Sequence, residues 1–318
     1  MNLEKGIVRK STGNWYHVLN KEGQDIRCRI VGKFRLDGLK TTNPVAVGDE
    51  VEFEMEEGDE ETGVIRKISR RENYIIRQSP RKKHQLHILA SNVDQAVVIT
   101  TIVQPLLKQG FIDRFLMMTE PQNIPAVIVF NKADVYEEEN LQLYEYLKKI
   151  YESIGYKTLL VSATERTGLE ELKEVLKDKT TLIGGQSGVG KSTLVNSIQP
   201  QLELRTEEIS DYSGKGQHTT TFAEMFELDF GGSIIDTPGI KNLSFSNLEP
   251  QDVTHNFREF FEVSKDCKFG NCTHRNEPKC AVKEAIEEGT ISELRYFNYI
   301  TILDEVEDQN YWERHRDM

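Results

Sequence analysis

Residues 185–192 read GQSGVGKS, which fits the phosphate-loop pattern G-x-x-x-x-G-K-S. Glycines let backbone N–H groups close around phosphate oxygens, and a helix starting at the end of the loop adds positive potential. The required context is present: the strand-like TTLIGG precedes the loop and the helix-like KSTLVNSIQ follows it. Gly184, Gly185, Gln186, Ser187, Gly188, Val189, Gly190, Lys191, Ser192 and Thr193 are therefore the expected phosphate contacts. Lys191 is expected to reach the β and γ phosphates as a catalytic cation, and the Ser192 hydroxyl to ligate Mg²⁺.

A phosphate loop does not tell adenine from guanine. Residues 131–134, NKAD, end the apolar run PAVIVF, where a parallel sheet places its ligand contacts. A carboxylate at Asp134 can accept from both guanine N1–H and the exocyclic amine, a pair of donors that adenine lacks. Asn131 is expected on the purine edge and the Lys132 stem over the ring, and Ser162-Ala163 ends the next strand with a backbone N–H for guanine O6. DTPG at 236–239 completes the phosphate half: Asp236 would hold Mg²⁺ through water, and the Gly239 N–H would sense the γ-phosphate. Between loop and DTPG runs a long polar stretch ending QHTTTF, of the kind that orders around nucleotide. The hydroxyls of Thr219, Thr220 and Thr221 all suit Mg²⁺, and Thr220 is taken from its place in the run. Ile240 stands directly after DTPG, where Ras-like enzymes carry the glutamine that orients water, so slow intrinsic turnover is expected. His218 is the candidate catalytic substitute, since a neutral imidazole accepts a hydrogen bond from water; a solvated loop histidine is the alternative.

The spacing Cys267-x4-Cys272-x-His274-x5-Cys280 gathers three thiolates and an imidazole, the set of a closed structural zinc site. A catalytic zinc would keep one position open for water, and four ligands leave none.

Three kinds of element must carry these groups. Residues 1–72 alternate apolar and polar with Gly13, Gly23, Gly48 and Gly63 as punctuation, the spacing of a five-stranded OB-fold barrel. Residues 73–245 interleave β-branched runs with helical periodicity, as in a doubly wound α/β sheet whose ligands lie beyond the strands' carboxyl ends. Residues 246–318 read as helices around the Cys/His loop. No run approaches 18 apolar residues, and the start lacks a signal-peptide pattern, so a soluble cytoplasmic protein is expected.

The motif order is NKAD, SA, GQSGVGKS, TTT, DTPG, whereas small GTPases begin with the phosphate loop. The chain is thus a circular permutation. With a barrel in front and CKFGNCTH…C behind, it resembles the bacterial small-ribosomal-subunit-dependent GTPases of the RsgA/YjeQ/YloQ family along essentially its whole length. The resemblance implies an OB-fold, a permuted GTPase domain and a zinc domain that dock together on the 30S subunit and its 16S rRNA late in maturation. It also implies that the subunit stimulates GTP hydrolysis to GDP and phosphate. Guanine contacts then fall on Asn131, Lys132, Asp134 and Ala163, and phosphate contacts on 184–192. A monomer without membrane contact is expected, with Mg²⁺ accompanying GTP and one structural Zn²⁺.

Two other functions fit parts of this pattern. One is an OB-fold nucleic-acid binder whose nucleotide domain only senses; the other is a P-loop ATPase or metal-delivery GTPase whose Cys/His loop carries the metal as cargo. NKAD argues against ATP, and the closed four-ligand set argues against cargo. The charge balance, 40 Lys+Arg against 52 Asp+Glu for a net −12, excludes a histone-like binder. Residues 66–83 nevertheless hold Arg66, Lys67, Arg70, Arg71, Arg77, Arg81, Lys82 and Lys83 against Glu72 alone, a strip suited to phosphate contact.

Overall fold

The computed structural model describes residues 3–30, 43–56, 59–78, 86–108, 110–202, 223–236 and 248–314. The sites expected at His218, Thr219, Thr220, Thr221, Gly239 and Ile240 lie outside these residues, as do Arg81, Lys82 and Lys83.

Among the described residues, five strands form the N-terminal unit: β1 (Glu4–Ser11), β2 (Tyr16–Asn20), β3 (Asp25–Ile30), β4 (Glu50–Glu56) and β5 (Asp59–Ile68). They pair in the order β1-β2-β3-β5-β4, and β4 returns to β1, which closes the barrel. Alternation explains the closure. Val8, Tyr16, Val18, Ile26, Cys28, Val51, Phe53 and Ile65 point inward as one cluster while their neighbours face water. At Gly6 a Cβ would stand 2.5 Å from the Leu19 carbonyl oxygen, so only glycine permits the close β1–β2 crossing there.

A hairpin of β6 (Tyr74–Gln78) and β7 (Leu86–Ser91) follows. Arg71 joins it to the barrel: its Nε and Nη2 each donate to Asp49 at 2.6 Å, and Ser91 Oγ donates to the same carboxylate at 2.6 Å. Asp49 is fully buried and the Arg71 side chain nearly so. The structure therefore removes Arg71 from the basic strip. Arg66 and Lys67, though exposed, pair with Glu54 and Glu52 across β4.

The central sheet adds β8 (Gln95–Thr100), β9 (Ala126–Phe130), β10 (Lys157–Leu160), β11 (Thr180–Gly185), β12 (Glu224–Glu227) and β13 (Ser233–Asp236). Its order is β10-β9-β8-β11-β13-β12, parallel except at β12. Helices α1 (Phe111–Thr119) and α2 (Glu138–Ser153) cover one face over Ala96, Val98, Ile128 and Phe130. Helices α3 (Leu169–Leu176) and α4 (Lys191–Ile198) cover the other over Val97, Ile99, Val129 and Ile183. Alternate residues of one strand thus feed opposite cores, which is why these runs are apolar throughout. Strand β12 pairs with β1 at Glu224↔Lys10, whose side chains form a 2.8 Å ion pair, so one eleven-stranded sheet runs from the barrel into the α/β core.

Among the described residues after 247, four helices follow: α5 (Pro250–Asn256), α6 (Arg258–Ser264), α7 (Ala281–Glu287) and α8 (Glu293–Arg314). The segment DVTHNFREFFEVSKD, which reads as one helical stretch, breaks at Phe257. That residue is extended (φ −95°, ψ 100°), and its ring sits buried 5.4 Å from Tyr299 and 4.3 Å from the Arg295 guanidinium carbon. Arg295 is itself buried and pairs with Asp113 of α1 at 2.5 Å and with Glu259 at 2.7 Å. Asn298 and Tyr151 complete the hydrogen bonding of Asp113. No helix among the described residues is long and apolar enough to cross a membrane.

Candidate nucleotide site and metal centre

The carboxyl ends of β9, β10, β11 and β13 meet along one rim of the sheet, and the loops that leave them carry the expected residues. Asn131, directly after β9, is 1% exposed and works as a clamp. Its Nδ2 donates to the Val189 carbonyl of the phosphate loop at 2.9 Å, and its Oδ1 accepts from the Ala163 N–H at 3.3 Å. One side chain therefore joins all three motifs. A Cβ on Gly190 would lie 2.6 Å from Asn131 Nδ2, and Gly190 has φ +88°, so both space and backbone require glycine there.

Lys132 takes the left-handed conformation (φ 66°) and its Nζ donates to the Gln104 carbonyl. Asp134 is exposed at the rim, with Oδ1 held by Ser162 Oγ at 2.5 Å. That hydroxyl also accepts the Glu165 N–H at 3.0 Å, which fixes its lone pairs and aims its proton at Asp134. The sequence offered only the Ala163 backbone for this dipeptide, yet Ser162 supplies the orienting bond and the Ala163 N–H is engaged by Asn131.

The phosphate loop occupies 185–190 between β11 and α4. Gln186 and Val189 are buried, Ser187, Gly188 and Thr193 are exposed, and Ser192 is half-buried in the first turn of α4. Lys191 Nζ donates to the Gly185 and Gln186 carbonyls at 2.9 and 2.8 Å, so its ammonium stands at the mouth of the loop. Gly184 lets α1 close over the strand: a Cβ there would lie 2.3 Å from Phe115 Cε2. Asp236 ends β13 opposite Ile183 of β11, next to the loop. Its carboxylate and the Ser192 hydroxyl are hard oxygen donors of the kind Mg²⁺ takes.

Cys267, Cys272, His274 and Cys280 bring their ligand atoms within 4.8 Å of one another. Cys267 and Cys280 sulfurs are 4.0 Å apart, and His274 Nδ1 lies 3.7 and 3.3 Å from them. A tetrahedron with Zn–S and Zn–N bonds near 2.3 and 2.05 Å has edges of about 3.8 and 3.6 Å, so the cluster has the size of a zinc site. Burial pushes the Cys272 thiol up to about 12 and raises Cys280, so a cation would have to displace those protons. The loop is pinned beside its ligands. Burial alone would raise Glu277, yet hydrogen bonds from the Thr273 hydroxyl and from backbone N–H groups, Thr273 and Arg275 among them, hold it at about 2. Tyr296 and Tyr299 of α8 donate to the His274 and Thr273 carbonyls at 2.8 and 3.2 Å.

A phosphate loop, an NKxD loop and a largely parallel sheet in which the strand before NKAD precedes the strand before the phosphate loop in sequence define a circularly permuted P-loop GTPase. Residues 68–246 match the family model described as RsgA GTPase, and residues 5–65 match the RsgA N-terminal domain. The chain belongs to the RsgA GTPase family and hydrolyses GTP. The small ribosomal subunit biogenesis GTPase RsgA of Flavobacterium psychrophilum is 50% identical over 96% of this chain and 94% of its own. Its counterpart in Christiangramia forsetii is 50% identical over 96% and 98%. Among solved structures, YjeQ from Thermotoga maritima aligns with TM-score 0.77 at 38% identity, covering 96% of this chain and 99% of that one. YloQ, described as a circularly permuted GTPase, aligns with TM-score 0.73 at 31% identity over 97% and 96%.

Proposed function

We propose that this GTPase acts in biogenesis of the small ribosomal subunit, binding the 30S particle through 16S rRNA late in its maturation and hydrolysing GTP faster when bound. The observation that carries this reading is a relationship at about half identity that spans barrel, GTPase core and Cys/His module together, with proteins named for that process. The chain would divide at about residues 72 and 245 into an RNA-binding barrel, the GTPase domain and a zinc-bearing tail, and would work as a cytoplasmic monomer.

In this reading Asp134 accepts the two guanine donors, Asn131 and Lys132 hold and cover the base, and the Ala163 N–H turns from Asn131 to guanine O6. The 184–193 segment surrounds the phosphates, and Lys191 leaves the loop carbonyls for the β and γ oxygens. Ser192, Thr220 and Asp236 would hold Mg²⁺, which supplies charge neutralisation at the γ-phosphate. His218 would orient the attacking water in place of the residue missing at Ile240. The Cys/His set would hold Zn²⁺ as a structural ion.

The test is hydrolysis of GTP and ATP by the whole protein, alone and with purified 30S or 50S subunits. GTP turnover accelerated by 30S alone is expected. Equal rates with either subunit, or ATP accepted as well as GTP, would sink the proposal.

A further inference from the structure

Residues 101–108 leave β8 and run to α1 between the two halves of the nucleotide site. Lys132 Nζ reaches the Gln104 carbonyl on one side of this loop. On the other side, Pro105 Cδ is 3.5 Å from where a Cβ on Gly188 of the phosphate loop would stand. None of the contacts assigned to nucleotide explains why the loop lies there. One hydroxyl does. Tyr136 Oη accepts the Ile102 N–H at 2.9 Å and donates to the Asn131 carbonyl at 3.0 Å, with Thr101 Oγ1 3.4 Å away. Burial raises the phenol above its ordinary pKa, so the proton it donates stays on through the physiological range. Thr101 Oγ1 donates onward to the Val103 carbonyl at 2.7 Å.

We propose that Tyr136 is a positioning residue for guanine recognition, its hydroxyl clamping the 101–108 loop to the Asn131 carbonyl so that loop and NKAD segment form one rigid wall of the base pocket. Lys132 shows what the clamp must resist. A lysine with φ 66° holds a conformation that L side chains disfavour, and it persists only because its neighbours are fixed. Asn131 is fixed through its side chain and carbonyl, and Ala133 through its N–H to the Val161 carbonyl at 3.0 Å. Without the phenol oxygen, the Ile102 N–H, on a residue 1% exposed, loses its acceptor and the Asn131 carbonyl its donor. The loop would then relax at the point that sets where Asp134 meets the base.

This rests on the guanine reading above, and the experiment separates the two. Affinities of the metal-loaded full chain for GDP and IDP are measured for wild type and Tyr136→Phe, which keeps the ring. IDP lacks the exocyclic amine, so the GDP/IDP ratio reports how well the Asp134 carboxylate is placed. Tyr136→Phe should weaken GDP by about 5- to 30-fold, the range expected for one buried hydrogen bond, and IDP by clearly less, so that the ratio contracts. Equal weakening of both nucleotides would reduce Tyr136 to a packing role, and no weakening would remove it from the site. If that variant fails to fold, Thr101→Val, which frees the Val103 carbonyl on the same loop, should contract the ratio in the same direction; an unchanged ratio overturns the proposal. A wild-type chain that binds GDP and IDP alike would instead defeat the guanine reading itself, before any variant is compared.

Discussion

Asn131 shows how a single amide can set the geometry of a site. It spends its donor on the phosphate loop and its acceptor on the Ala163 N–H, so the NKAD loop, the Ser162-Ala163 turn and the phosphate loop share one buried side chain. Asp134 depends on a second such residue. Replacing Ser162 by Ala removes the 2.5 Å bond that orients the carboxylate, and guanine nucleotides should bind about 5- to 30-fold more weakly in equilibrium titration. Asp134→Asn makes a different change: an amide can donate where the carboxylate only accepted, so xanthosine triphosphate should gain affinity as GTP loses it. Retention of the GTP preference in that variant would take Asp134 out of the base contact. The types and spacings of these residues were legible in the sequence because the chemistry leaves few substitutes for them. The Ser162 bond was not, since a Ser-Ala dipeptide is common and the bond depends on a carboxylate 28 positions earlier in the chain.

Elements built on strong local signals follow the sequence closely, and those that depend on distant partners do not. β9 and β11 are uniform apolar runs bounded by turns, and both lie where periodicity places them. The β6–β7 hairpin and β12 carry no such pattern. The hairpin is secured by Arg71 and Ser91 on Asp49, and β12 by edge pairing with β13 and with the barrel. The break between α5 and α6 has the same origin, because the buried guanidinium over Phe257 belongs to α8. The junction of β11 with α4 permits a direct test. Gly190→Ala would place a methyl where Asn131 Nδ2 now sits and would force alanine to φ +88°, a left-handed conformation costing about 1–2 kcal/mol. Nucleotide affinity should fall more than tenfold, while urea unfolding still shows a cooperative transition. Affinity within twofold of wild type would mean the phosphate loop does not need the Asn131 clamp.

At the scale of the whole molecule, the C-terminal module is wired to the GTPase core through charge. Arg295 faces Asp113 and Glu259 in a buried setting, and among the described residues no other ion pair reaches either carboxylate. Arg295→Met would leave both uncompensated and should cost about 3–5 kcal/mol in urea unfolding, the usual penalty for half of a buried pair. Adding Asp113→Asn should recover part of that loss, because the coupling lies between the two residues; a double variant no better than the single one would show that the pair is not coupled. The permuted strand order has a further consequence, in time rather than space. Strands β8, β9 and β10 leave the translating ribosome in succession, and β8 finds its second neighbour only when β11 arrives, about 80 residues after β8 itself, or roughly 4–16 s at ordinary elongation speeds. During that interval one long edge of the nascent sheet stays open to stray pairing. Gln95, which in the finished protein donates to Thr181 and to the Val175 carbonyl, sets a polar side chain at the start of that edge, the kind of feature that discourages premature partners.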